Sequence, residues 1–212
     1  MLTGAVSIRY RVALLGSATS GIVLQIIQGE DPTPTYEYFT IWSAAALVLY
    51  GSNLLSRLPA AESYVRNAAS AGALLSAVVY LAAIAPVNGM GSEPTTVAAN
   101  AVLHLVVPVV VILLYASKYD LQFPPRAIVT TLTFPAAYLG WAILTSAVGG
   151  APPVYVFLDV RHVGVLGVLG ATLGGSIVYL LVALFLSRLT VRKSRRDGET
   201  QRRSSGATSG AS

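Results

Sequence analysis

The run from Val97 to Ser117 is long enough to cross a bilayer, and it carries a single ionisable side chain, His104. An imidazole in such a run has no water to fall back on. Groups of this kind turn toward a bundle interior and mark a functional site, or they pack and bond a neighbouring helix's carbonyl. Asn100 lies four residues earlier and Pro108 four residues later. On an α-helix the three share a face, and Pro108 removes a backbone donor and kinks the helix at that level.

The rest of the chain repeats the theme of long apolar runs. Hydrophobic residues make up 54% of the 212 positions and charged residues only 11%, a balance outside the soluble range. Six runs predict membrane-spanning helices at about residues 12–28, 38–55, 68–85, 97–117, 127–148 and 163–186. The fold class is therefore all-α and polytopic. The first run is followed by Gly29-Glu-Asp-Pro-Thr-Pro-Thr35 without a small-residue cleavage site, so it reads as a retained helix. The third is rich in Ala, Ser and Gly and suits close helix packing. The sixth carries a small-residue face with a Gly170/Gly174 pair, which serves intramolecular packing or a homodimer equally well.

Charge sets the orientation. The first and third loops carry no basic residue, only Glu30, Asp31, Glu37 and Glu93, and the fifth has Arg161 beside Asp159. The N-terminus, the second and fourth loops and the tail hold the remaining Lys and Arg, which predicts both termini cytoplasmic, in a plasma-membrane protein. The net charge of +5 belongs to the tail alone, because residues 1–187 sum to zero. That excludes a basic nucleic-acid face on a folded domain. Residues 190–212, rich in Gly, Ser, Thr and Arg, read as a disordered tail that follows the transmembrane domain 1–189.

With no cysteine, disulfides, thiolate metal sites and cysteine nucleophiles are excluded. His162 is the only other histidine and the nearest acids lie in loops, short of the three or four ligands of a tight metal site. No phosphate-binding glycine loop or nucleophile elbow is present, and no cofactor is implied.

What remains is polar chemistry in the outer leaflet. Helices two and four both run inward, and Thr40 and His104 come out roughly 3 and 10 Å below the outer interface at 1.5 Å per residue. Asn100 lies between them, and Tyr155 and Asp159 approach from the loop before helix six. A hydroxyl becomes a nucleophile when a base within hydrogen-bond reach takes its proton, and imidazole is the usual base near neutral pH. Against this stands the local alternative, in which Thr40 bonds its own helix backbone.

Three stretches taken together carry a resemblance. They are Tyr38-Phe-Thr40-Ile-Trp42-Ser43, Asn100-Ala-Val-Leu-His104 with Pro108, and Tyr155-Val-Phe-Leu-Asp159. With six spans at these spacings, residues 10–188 resemble a bacterial six-helix membrane family related to the animal androgen-induced-gene-like proteins. Val156 stands where the family usually has proline, and Trp42 and Ala44 where bacterial relatives often show Gln and Asn. The resemblance implies threonine hydrolase chemistry on fatty acid esters of hydroxy fatty acids. Thr40 would be the nucleophile and His104 the base, with Asn100, Ser43, Trp42, Tyr155 and Asp159 binding or orienting a long-chain acyl ester from the membrane. The alternative is a non-catalytic membrane protein that binds a lipid or a partner subunit.

Overall fold

The computed structural model describes residues 2–28, 33–117, 123–149 and 153–208. Every regular element among them is helical. Six helices follow the six apolar runs: α1 (Leu2–Gln28), α2 (Phe39–Gly51), α3 (from Pro59), α4 (from Pro94), α5 (from Pro125) and α6 (Val160–Thr208). Five carry stretches long and apolar enough to cross a membrane: Ile8–Gln28, Pro59–Val87, Pro94–Ser117, Arg126–Val148 and Val160–Thr190. The architecture is that of a multi-pass membrane protein.

α3 is the hub. It packs against α2, α4, α5 and α6, and its residues from Asn67 to Ala77 are buried on every side. Only a helix of small side chains can be surrounded in this way, because small residues let backbones approach. Gly72 shows the limit, since a Cβ there would collide with Ser43 Oγ on α2. The outward faces are the reverse, with Leu166, Leu169, Leu173 and Leu181 of α6 all exposed. A Cβ added at Gly170 or Gly174 of the same helix would meet nothing within 4 Å among the described residues of the other helices.

Three helices break register at a proline. In α3, Pro59–Val79 passes into a π turn over Tyr80–Ile84 and then into Ala85–Asn88. Pro86 has no N–H for the carbonyl four residues back, and the amide of Ala85 reaches one residue further, to Tyr80 O. α4 does the same: Pro94–Ala101, a π turn over Val102–Val106, then Val107–Ser117. There Val107 N–H donates to Val102 O directly ahead of Pro108. In α5 the break falls at Leu132, between Pro125–Thr131 and Thr133–Gly149. Pro135 cannot serve the Thr131 carbonyl, and the buried Tyr179 hydroxyl of α6 donates to it instead, at 3.0 Å.

One expectation changes at this level. The second span, expected over 38–55, is a helix of 13 residues, about 20 Å long and short of a hydrocarbon core. It stops where Asn53 turns left-handed, φ 65°, a conformation Asn tolerates. At its end Arg11 pairs with Glu62, donates to Asn53 Oδ1 at 2.6 Å and lies over the Tyr50 ring. This end of the bundle therefore holds a cluster of polar groups. α6 continues as helical backbone to Thr208. No proline interrupts it, and each added residue closes one more hydrogen bond on a helix already nucleated. Residues 209–212, and the acids Glu30 and Asp31 of the first loop, lie outside the described residues.

Candidate functional site

Thr40 is the second residue of α2, and His104 sits ten residues into α4, roughly 15 Å along its axis. Equal depth from helix starts would keep them apart. The shortness of α2 removes the discrepancy. Gly51 at its far end is packed on Arg11 and Leu15 of α1, so a helix of this length leaves its N-terminus recessed and Thr40 near the level of His104. The 3-10 turn Thr33–Glu37 fills the space above, tied down by Trp42 Nε1–H to Tyr36 O at 2.9 Å and Tyr138 O–H to Glu37 O at 2.6 Å.

Two cavities meet at these residues. The first, about 300 Å³, is largely apolar, with Leu75, Val79, Leu132, Pro135, Leu139 and Leu158 among its walls. The second, about 260 Å³, is lined by Gln25, Gln28, Tyr38, Thr96, Asn100 and the glycine turn of Gly89 and Gly91. Thr40, Ile84, His104 and Tyr155 line both. An apolar chamber and a polar one thus share a wall carrying a hydroxyl, an imidazole and a phenol.

The two π turns build that wall. Tyr80 opens one and His104 lies within the other, and their rings stack with centroids 4.0 Å apart and planes 3° from parallel. His104 is 7% exposed, and its Nδ1 is buried without a hydrogen-bond partner. The Ser76 backbone carbonyl faces the imidazole, a contact that can fix which nitrogen carries the proton. Ser76 Oγ is also buried and unpartnered. No hydrogen bond joins Thr40 to His104 among the described residues.

Tyr155 covers the wall from the loop before α6. Its ring lies edge-on to Tyr38 and Tyr138 and stacks on Phe157, and its phenol is set beside the Thr40 hydroxyl. Burial pushes that phenol up to about 12, against the lowering influence of the Thr40 hydroxyl and the Phe39 and Thr40 backbone. It therefore stays protonated at neutral pH and serves as a donor.

The other residues read from the sequence fall elsewhere. Asn100 lines the polar cavity, but its Nδ2 donates to Met90 O at 3.0 Å and does not orient His104. His104 lies in the π turn that follows, and both residues line the polar cavity. Ser43 is fully buried between α2 and Gly72, with its hydroxyl donating to Phe39 O at 3.1 Å. Trp42 packs on Tyr138 and Trp141. Asp159 caps the start of α6, accepting from the Arg161 amide at 3.0 Å and side chain at 3.1 Å. Desolvation raises the Asp159 carboxyl, and the Arg161 contacts outweigh it, holding the group below the usual carboxylate range. Ser43, Trp42 and Asp159 line neither cavity.

Gln28, Ser76 and Tyr80 are the site residues that sequence reading missed. The available signal was the pair of prolines, Pro86 and Pro108, each just beyond a polar or aromatic residue in an apolar run. No group of three or more potential metal ligands occurs among the described residues. No protein-family model, no curated protein and no solved structure matches the chain.

Proposed function

We propose that the chain is an intramembrane lipid-ester hydrolase with a Thr40–His104 pair, its termini on the cytoplasmic side. The observation that carries this reading is the shared wall. An amphipathic acyl ester lying across both cavities has its chain in the apolar one, its head in the polar one and its ester bond at Thr40 and His104. Each cavity is close to the lower end of the ~300–1,000 Å³ typical of small-molecule sites.

In this mechanism His104 takes the Thr40 proton as the hydroxyl oxygen attacks the ester carbonyl carbon. The Tyr155 phenol donates to the carbonyl oxygen as it gains negative charge. His104 returns the proton to the departing alkoxide, releasing the alcohol and leaving an acyl-threonine. Water, deprotonated by the same imidazole, attacks the acyl carbon; the bond to Thr40 breaks, the imidazole returns the proton to the Thr40 oxygen, and the carboxylic acid is freed. Thr40 and His104 need to close to hydrogen-bond reach for the first step, and catalytic contacts of this kind commonly tighten only when substrate is bound.

The test is release of free acid from long-chain acyl esters by the purified protein in nanodiscs. Thr40→Ala and His104→Ala are each expected to lower turnover about a thousandfold or more, with unchanged elution and melting. Undiminished hydrolysis by His104→Ala overturns the reading. A second reading, a lipid-binding bundle without turnover, is favoured by the face-to-face Tyr80–His104 stack, which covers one side of the imidazole. Failure to react with a fluorophosphonate probe would fit that reading.

A further inference from the structure

The polar cavity has a composition that selects its occupant. Three carboxamides, Gln25, Gln28 and Asn100, contribute to its walls together with hydroxyls, and no Lys, Arg, Asp or Glu lines it among the described residues. A carboxylate, phosphate or ammonium group held there gives up water without gaining a counter-charge, and ions at membrane depth are unfavourable without one. His104 does not fill that role, because the ring is 7% exposed and no carboxylate lines the cavity among the described residues to hold a proton on it.

Two buried side-chain atoms without a partner belong to residues lining this cavity, and both are acceptors. Gln28 Oε1 is buried and has no partner, and Nδ1 of His104, a residue 7% exposed, has none either. Asn100 uses its amide nitrogen on Met90 O, and its carbonyl oxygen accepts no hydrogen bond among the described residues. A buried acceptor left unpaired is unfavourable until a donor arrives. Hydroxyl groups supply such donors, whereas carboxylates and phosphodiesters do not.

We infer that the polar cavity binds an uncharged, hydroxyl-rich headgroup, so that the ligand spanning both cavities is an acyl ester of a neutral polyol of the monoacylglycerol kind. The placement of its ester at the shared wall rests on the hydrolase reading; the headgroup preference does not. Hydrolysis of such an ester takes up one water and yields the free polyol and one fatty acid, with no other co-reactant.

The experiment separates the two claims by using ligands that cannot be cleaved. Full-length protein in nanodiscs of fixed lipid composition is titrated with 1-O-hexadecylglycerol, palmitate and hexadecylphosphocholine, each corrected for partition into empty nanodiscs. The alkylglycerol is expected to bind at least about tenfold tighter than either charged ligand, the scale of one well-made hydrogen bond to a buried group. Gln28→Met, which keeps the side chain's length and removes its amide, is expected to abolish most of that preference while palmitate binding stays unchanged. The inference is overturned if palmitate or hexadecylphosphocholine binds the wild type as tightly as the alkylglycerol, or if Gln28→Met weakens all three alike. Should the preference hold while no acyl ester is turned over, the hydrolase reading fails and the headgroup assignment stands.

Discussion

The two ends of α2 handle polar groups in opposite ways. At the Gly51 end, Arg11, Asn53, Glu62 and the Tyr50 carbonyl answer one another: the guanidinium meets a carboxylate, an amide oxygen and a backbone oxygen, and lies over an aromatic ring. At the Thr40 end the wall is left open. Of the five buried side-chain atoms without partners among the described residues, three belong to residues lining the cavities: Gln28, Ser76 and His104. Asn67 and Ser70, inside the packing of α3, supply the other two. Polar groups that satisfy each other hold helices together. Groups left unsatisfied beside a cavity carry a desolvation cost that a ligand can relieve.

Substitutions that affect one end and spare the other test this contrast. The largest stability effect belongs to the paired end. Arg11→Ala leaves Glu62 partly buried with its charge unanswered and is expected to destabilise the bundle by about 2 kcal/mol, below the 3–5 of a fully buried pair. Thermal unfolding in detergent measures it, and turnover per folded molecule is expected to stay at the wild-type level. Equal losses of stability and turnover would show that the ends are coupled. Next comes Tyr155→Phe at the cavity wall. The ring keeps its contacts with Tyr38, Tyr138 and Phe157 while the donor is lost, and kcat is expected to fall about tenfold, or ~1.4 kcal/mol, with stability unchanged. A Tyr155→Phe enzyme at full kcat would remove the phenol from the mechanism.

The smallest effect sharpens the contrast most. Ser76→Ala deletes a hydroxyl that is buried without a partner. It is expected to change stability by less than about 0.5 kcal/mol or to raise it slightly, the reverse of deleting a paired group. A loss of about 1 kcal/mol or more in the same unfolding assay would mean that this oxygen is held by a bond, and the open-wall description would fail there.

How much of this was legible in the sequence divides along physical lines. The apolar runs predicted six helices because an apolar side chain reports its solvent whatever its neighbours are. The small-residue character of α3 pointed to its packing for the same reason, since Gly72 against Ser43 needs only the absence of a Cβ. Lengths were less visible. α2 was read through residue 55, but a left-handed Asn53, held by an arginine 42 positions away, ended it at Gly51.

At the site, Thr40, His104 and Tyr155 were singled out and do line a common wall. Helical spacing placed Asn100 on one face with His104, and both line the polar cavity, with the Asn100 amide nitrogen bonded to Met90 O. The effect of Pro108 on the backbone was anticipated as a kink; the π turn ahead of it was not. Ser43, Trp42 and Asp159 came with the local stretches, and each is occupied by a nearby contact. Tyr80, Ser76 and Gln28 depend on how three helices rotate about their axes, which is a tertiary property.

The most direct test of the central claim, that Thr40 is a nucleophile activated by His104 at the junction of the cavities, is peptide mass spectrometry after treatment with a long-chain alkyl fluorophosphonate. The account predicts one stoichiometric phosphonyl adduct, on Thr40, absent from His104→Ala and outcompeted by a long-chain acyl ester. A folded wild-type protein that takes up no label at Thr40, or labels there equally with His104 removed, would contradict it.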